Sequence, residues 1–548
     1  MTTPDAVDTA APTPDAADGP PRHRHHDRRW LVLPVLCLSV FLVVVDNTIV
    51  NVAIPSLSRD LGASTSALQW IVDAYSLTFA GLLLAGGGIG DRFGRKPVMQ
   101  TGLAFFGVFS VLAAVSHSTG QLISARALMG VAAAFVFPAS LAILTDIFTD
   151  PSERQKALGI WGATSGIAVA FGPIVGGALL EHFWFGSIFL VNVPIVLVTL
   201  VAGHFLVPRL DRVAARRFDT RGVLVSTVGL TLLVLAIIQG PQWGWTSAAT
   251  LGCFAAAAGL LTAFALLELR TAEPLLDVRV FAVPRFSSGA VAIAVAFFCL
   301  FGFIFVITQY FQFVKGYSTL SAGVHTLPFA IVAAVFTPVG AVLALRVGTR
   351  LVVGVGLVLM GAGLVLAGVS STPQANYFGP VITSMVLLAL GLSFITAPAT
   401  EAVMGSLAPE QVGAGAAVNN TTRELGGTLG VAVLGSVFAS AYGPRILHAL
   451  SGYPVPAPAR DAARQSVAAA LAVVDHAPAA VQPTIRTAVF DAFGSGLEAA
   501  CMVGAAVAVR GALVAFLFLP GRSTDGPTDL VAVTTPTAPG AEVATIPG

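Results

Sequence analysis

Between Arg221 and Glu268 the chain carries no Asp, Glu, Lys or Arg, and much of the rest repeats the pattern, with long apolar runs separated by short clusters of charge. In lipid, backbone polar groups can be satisfied only within helices or a closed barrel. A helix needs roughly 20 apolar residues to cross a bilayer, and these runs have that length. Only 10% of the 548 residues are charged and 55% are hydrophobic, where a soluble domain averages about 25% charged. The expected fold class is therefore an all-α integral membrane protein, with the lipid bilayer as its surroundings. A net charge of +1 offers no basic field to a nucleic acid, so no such partner is expected. Cys37, Cys253, Cys299 and Cys501 all lie inside apolar runs, which leaves no disulfide framework or Cys-x-x-Cys site to read. His23, His25 and His26 resemble a metal tract only loosely and read as a solvated tail, so no metal is expected.

The length rule places spans near 31–55, 67–90, 97–116, 121–145, 157–180 and 185–207. Two more fill 222–267, divided at Gln239-Gly-Pro-Gln-Trp-Gly-Trp245, a turn with interfacial tryptophans. Six follow near 286–313, 321–345, 351–370, 376–404, 412–441 and 497–519, giving fourteen. An even count puts both termini on one side. Lys and Arg number 20 on that side and 6 on the other, and four of the six fall in the long segment 442–496, where charge weighs little. Both termini are therefore expected in the cytoplasm. The expected organisation is a disordered cytoplasmic tail over 1–29, not a cleavable signal, and a six-helix bundle over 30–208. Two linker transmembrane helices over 218–270 lead to a second six-helix bundle over 285–520, with an extracellular segment at 442–496, and a cytoplasmic tail over 521–548. Inside the extracellular segment, Ala459 to Val474 with Arg460 and Arg464 at i, i+4 reads either as an amphipathic helix on the outer face or as a solvated linker.

Echoes between the halves share one offset of 254 residues: Arg92-Phe-Gly94 with Arg346-Val-Gly348, and Gly172 and Gly176 with Gly426 and Gly430. They fit duplicated bundles that rock around a midplane site. The motifs themselves resemble the major facilitator superfamily, and within it the fourteen-span drug:proton antiporters of the EmrB/QacA type. Gly87-Gly-Ile-Gly-Asp91-Arg92-Phe-Gly94-Arg95-Lys96 is similar to the superfamily's loop signature between spans two and three, Leu122 to Gly130 around Arg126 to its span-four motif, and Gly172-Pro173-Ile-Val-Gly176-Gly177 to the antiporter motif of span five. Asp46 to Pro55, Gln309-Tyr-Phe-Gln312 with Gly316-Tyr-Ser318, and Asn419 to Gly430 resemble the drug-exporter branch. Two features depart from the pattern: Phe185-Gly-Ser187 stands where the family has Trp-Arg-Trp, before Phe189-Leu-Val-Asn192-Val-Pro194, and Arg510 lies within the last span.

An ionised side chain at mid-membrane costs about 2.5–3.5 kcal/mol on insertion scales, so each one is a functional candidate. Asp46, with Asn47, Thr48 and Asn51 beside it, is expected to face the bundle interior, either taking and releasing a proton as access alternates or fixing span one by a static hydrogen bond. Arg126 cannot lose its proton. It either pairs with a carboxylate, in the proton relay that the resemblance implies, or snorkels to the outer interface. Asp73 is a second proton site, an attractor of cationic drugs, or a hydrated vestibule residue. Gly172, Pro173, Gly176 and Gly177 form a tight seam; the resemblance implies that it suppresses proton leak, while ordinary small-residue packing needs the same glycines. Gly87, Asp91, Arg92, Gly94 and Arg95 are a conformational latch or charges that set topology. The expected substrate cavity comprises Asn47, Asn51, Tyr75, Gln309, Tyr310, Gln312, Asn419, Asn420 and Arg423, with Glu424 on an adjoining face and Glu401 near the cytoplasmic end.

The expected function is a proton-driven antiporter that exports small amphipathic molecules, drugs or antibiotics, across the cytoplasmic membrane by alternating access. It is expected to act as a monomer, without cofactor, on the proton gradient. No GxxxxGK[ST] loop and no constellation for covalent chemistry occurs in the sequence, so no enzymatic activity is expected. The rival readings are an exporter dedicated to one endogenous metabolite or lipid, and a membrane receptor or scaffold that transports nothing.

Overall fold

The computed structural model describes residues 29–208, 219–271, 278–407 and 412–521. Apart from Arg29 and Gly521, the expected tails lie outside them, as do the three histidines and residues 209–218. Among the described residues every regular element is a helix, with no strand. In the first half α1 (Arg29–Asp60), α2 (Thr65–Phe93), α3 (Arg95–Ala114), α4 (Thr119–Ile147), α5 (Pro151–His182), α6 (Ser187–Leu190) and α7 (Asn192–Leu206) follow in order. Then come α8 (Thr220–Trp243) and α9 (Ala248–Arg270). The second half runs α10 (Pro284–Gln309), α11 (Thr319–His325), α12 (Leu327–Val347), α13 (Thr349–Ser370), α14 (Ile382–Met404), α15 (Val412–Leu450), α16 (Ala457–Gln465), α17 (Val467–His476) and α18 (Gln482–Phe518). Thirteen helical stretches are long and apolar enough to cross a membrane, and α2, bent by 54° between residues 83 and 85, makes fourteen. The protein is a multi-pass membrane protein.

Local chemistry sets the helix starts. Ser64, Ser118, Asp150 and Ser247 each accept a backbone N–H of the first turn, capping α2, α4, α5 and α9. Between α2 and α3 the chain reverses at Gly94 with φ +102°, and between α12 and α13 at Gly348 with φ +97°, a backbone region that favours glycine. These are the two glycines that the repeat aligns. Packing repeats as well: α5 lies on α1 as α15 lies on α10, α2 on α4 as α12 on α14, and α3 on α7 as α13 on α18. Gly172 and Gly176 let α5 approach α1, where an added Cβ would come within 2.0 Å of Thr48 Oγ1 and 2.6 Å of Ile49 Cγ1. Gly426 and Gly430 do the same against the carbonyls of Ala294 and Phe298, at 2.4 and 2.2 Å. The linker helices α8 and α9 pair with each other, and α8 leans on α2 and α15.

We call the side where α1 begins and α18 ends the tail face, and its opposite the far face. In the segment 442–496 the helical alternative is the one the fold adopts, in two pieces rather than one. α15 continues to Leu450, α18 starts at Gln482, and the Ala459 to Val474 stretch forms two short helices, broken at Ser466, which caps α17. The break arises because Ser466 is extended and turns its hydroxyl to Ala469 N, which ends any continuous helix there. Together these elements form a helical cap on the far face, pinned to the first bundle by Ser466 Oγ against Ser58 Oγ (2.9 Å) and Thr65 Oγ1 donating to Gln465 O (3.0 Å).

The departures also find places. Gly186 brings the backbone against the Ala114 carbonyl, where a Cβ would sit at 2.3 Å. Arg510 is exposed on α18, eight residues before that helix ends, within snorkelling reach of the tail face.

Candidate functional site

Asp46 lies midway along α1 and Arg126 two turns into α4, and both are fully buried. Arg126 Nη1 donates to Asp46 Oδ2 at 2.5 Å. Asp46 Oδ1 accepts from Asn192 Nδ2 at 2.7 Å, so the carboxylate is held from two sides. Arg126 Nε donates to Ile71 O at 3.1 Å, and its guanidinium lies 4.2 Å from the Tyr75 ring centre. Tyr75 in turn donates its hydroxyl to Val43 O at 3.1 Å, locking α2 to α1. Four helices, α1, α2, α4 and α7, thus converge on one ion pair in a low-dielectric interior, where its attraction is strong and the loss of either charge is costly. Arg126 turns inward and does not reach the far interface.

Asn192 is the member that sequence reasoning missed as a site residue. It stands in the quoted Phe189 to Pro194 run, which gave a signal, but nothing in one sequence says that α7 delivers it to α1. A second unforeseen feature is an aromatic ladder of Tyr75, Phe79, Phe137 and Trp161, tilted at its first contact and edge-to-face at the next two, with centroid separations of 6.0, 5.8 and 5.2 Å, running from the ion pair toward the tail half of α5. Its rungs come from three helices. Asp73 is also fully buried, and neither of its carboxyl oxygens has a hydrogen-bond partner among the described residues; its helix α2 packs on both α4 and α15.

Most of the expected cavity residues are closed off. Asn47, Asn51, Tyr75, Gln309, Tyr310, Gln312 and Asn419 are buried, and only Asn420 and Arg423 are half-buried. The reason is that the bundles meet at Gln312, while the other polar groups turn to carbonyls of their own bundle. Gln312 Nε2 donates to Val52 O across the bundle boundary (2.9 Å), Tyr310 Oη to Thr372 O (2.8 Å) and Gln309 Nε2 back to Phe305 O (3.0 Å). Asn51 Nδ2 donates to Asn47 O of its own helix at 3.2 Å. Outside the span, Lys315 donates to Pro373 O (2.9 Å) and Ala375 O, and burial lowers its ammonium below the usual lysine range. On α15, Arg423 Nη2 donates to Thr400 Oγ1 at 3.3 Å and stands 5.3 Å from the Phe297 ring centre. No acid bridges to it among the described residues.

Among the described residues, the side-chain hydrogen bonds that join the bundles lie toward the far face. Gln69 Nε2 donates to Val431 O and Ala432 O (3.2 and 2.8 Å), and Thr319 Oγ1 to Gly177 O (3.1 Å). A Cβ on Gly177 would lie 2.7 Å from Leu320 Cα, and one on Gly323 2.4 Å from Pro173 O. The glycine motif of α5 therefore packs twice, on α1 within its bundle and on α11 across the boundary. Toward the tail face, Gly159, Gly162 and Gly166 of α5 face open space. At that face Arg95 clamps Asp91 (2.9 Å) and Asp146, joining α2, α3 and α4. Arg92 lies over the exposed Phe93 ring, and Gly87 has only Pro138 near it, at 3.9 Å. Of the expected latch, Asp91, Gly94 and Arg95 share one constellation; Gly87 and Arg92 do not join it.

A family model of the Major Facilitator Superfamily matches residues 36–431. The chain is 36% identical to the multidrug efflux pump LfrA of Mycolicibacterium smegmatis, covering 90% of this chain and 97% of that one. It is 34% identical to the tetracenomycin C resistance and export protein of Streptomyces glaucescens, covering 89% and 91%. Among solved structures, a bacterial homologue of the human lysosomal transporter Spinster, inward-facing and unoccupied, superposes with a TM-score of 0.63 at 18% identity, over 89% of this chain and 96% of the other. Motifs, repeated packing and comparisons agree: the chain belongs to the major facilitator superfamily.

Proposed function

We propose that this transporter exports amphipathic drugs or antibiotics across the cytoplasmic membrane in exchange for protons, with its tail face in the cytoplasm. The observation that carries the reading is the buried Asp46–Arg126 pair. A proton delivered to Asp46 cancels the carboxylate charge and leaves Arg126 with the Ile71 carbonyl and the Tyr75 ring. A buried cation stripped of its counter-ion is strongly destabilising, by about 3–5 kcal/mol, so protonation favours any arrangement that gives Arg126 another partner. That is the differential free energy a coupled change of access requires. Closed contacts at the far face with open α5 glycines toward the tail face fit a state that loads from the cytoplasm. The aromatic ladder and the half-buried Arg423 stripe supply apolar surface and polar contacts for an amphipathic cargo.

The membrane potential supplies about 2.3 kcal/mol per charge per 100 mV. The proton gradient is thus an adequate source, with no cofactor and no chemical step on the cargo, and one chain contains both bundles needed for a monomeric carrier. A second reading has its own support. Relatives include the puromycin resistance protein of Streptomyces alboniger and the cephamycin export protein of Amycolatopsis lactamdurans, whose names each specify one antibiotic. A dedicated exporter of a single antibiotic would use the same ion pair. Drug-induced proton release from everted vesicles separates these readings, using cationic, neutral and anionic compounds with wild type beside Asp46→Asn. Release with several unrelated compounds, lost in Asp46→Asn, supports the multidrug antiporter; release with one compound alone supports the dedicated one. Silence from folded, inserted protein contradicts both.

A further inference from the structure

A cleft of about 210 Å³ opens on the far face where three parts of the molecule meet. α2 contributes Ser66 and Gln69, α8 contributes Ile238 and Gln242, the α8–α9 turn contributes Trp245, and the second bundle with its cap contributes Ala439 and Arg464. Its walls are fixed by bonds between the three parts. Gln242 Nε2 donates to Ser66 Oγ (2.7 Å), Trp245 Nε1 to Ser440 Oγ (3.4 Å), and Thr65 Oγ1 to Gln465 O (3.0 Å). Gly240 is required here, because a Cβ would lie 2.6 Å from the Trp245 ring. Arg464 rests its stem on Gly443, 3.3 Å from where a Cβ would stand, and its exposed guanidinium forms no salt bridge among the described residues, although Asp461 is one turn away.

The cleft is amphipathic along its depth. Ile238 is buried and lies about 9 Å below Gly244 along the helix axis at 1.5 Å per residue, whereas the cation and the amides stand at the rim beside interfacial tryptophans. We propose that this cleft binds one bilayer phospholipid, its phosphodiester held by Arg464 and the rim amides, and its chain along Ile238 and Ala439. A guanidinium and amide donors suit a phosphate oxygen anion, and the apolar end suits an acyl chain but not a free ion. Because all three parts form the walls, the site exists only while the far face is closed, so the lipid favours that state.

The test is native mass spectrometry of delipidated, detergent-solubilised full-length protein titrated with phosphatidylglycerol, with diacylglycerol and inorganic phosphate as separate arms. Wild type is expected to retain one phosphatidylglycerol and no diacylglycerol. Arg464→Gln, at an exposed position and so without consequence for folding, should retain it about fivefold less, as expected for loss of one charged rim contact. Ala439→Leu, which fills the apolar end, should also lose it, and Arg464→Lys should keep part. Equal retention by wild type, Arg464→Gln and Ala439→Leu overturns the proposal. So does displacement of the lipid by inorganic phosphate, which would assign the site to a free anion, or equal retention of diacylglycerol, which would make the phosphate irrelevant.

Discussion

The two bundles are built on one plan but hold their charges differently. Each turns at a left-handed glycine, Gly94 or Gly348, and each seats a glycine pair on its neighbour's backbone, Gly172 with Gly176 or Gly426 with Gly430. The first bundle then buries a complete acid–base pair with a second donor, Asn192, on the acid. The second places Arg423 half-buried, against a hydroxyl and an aromatic ring, with no bridging acid. Duplicated scaffolds therefore need not duplicate chemistry. One half carries a charge that a proton can cancel, and the other holds a fixed cation against α10 and α14 of its own bundle.

The comparison breaks most readily at its largest expected effect. Arg126→Ala leaves Asp46 buried without its counter-ion and should destabilise the protein by about 3–5 kcal/mol, whereas Arg423→Ala, which has no bridging acid to orphan, should cost about 1 kcal/mol or less. Thermal unfolding in detergent compares them, and equal losses would erase the distinction between the bundles. Next, Gly177→Val forces side-chain atoms into the Thr319–Leu320 backbone across the boundary and should lower export about tenfold while the protein still folds. Gly159→Ala, in open space, should leave export unchanged; vesicle uptake measures both. Arg423→Gln removes a cation from the stripe on α15 and should raise the rate for cationic over neutral compounds by about threefold, roughly 0.7 kcal/mol of electrostatic repulsion. The smallest effect sharpens the repeat itself. Gly94→Ala and Gly348→Ala should each cost about 1 kcal/mol, and a marked difference between them would mean the two turns are not equivalent.

Much of this was legible in the sequence because hydropathy and charge act locally. The charge-free run between Arg221 and Glu268, the Gly94 turn and the α5 glycines each carry their reason within a few residues. Asp46 and Arg126 were visible as intramembrane charges, yet their direct pairing is a relation between α1 and α4 that no local pattern encodes. Asn192 and the Phe79, Phe137 and Trp161 ladder fail to stand out for the same reason, since an asparagine or aromatic in an apolar run gains meaning only from what another helix places beside it. Gln309, Tyr310 and Gln312 look like cavity residues because they are polar, but in this conformation their donors go to backbone carbonyls. The cap was open in the sequence between an outer-face helix and a solvated linker, because its helices are short and its composition, rich in Ala and Pro, lacks the length that marks a span.

The central claim is that a proton on Asp46 opens the ion pair and thereby changes which face is closed. The most direct measurement places spin labels at Asp60 and Ser451, at the far ends of the two bundles, in a background without native cysteines, and follows their distance by pulsed electron resonance at pH 5 and pH 8. The account predicts a distance distribution that shifts with pH in the otherwise wild-type protein and is the same at both pH values in Asp46→Asn. A shift that persists undiminished in Asp46→Asn would contradict it and place the proton switch elsewhere.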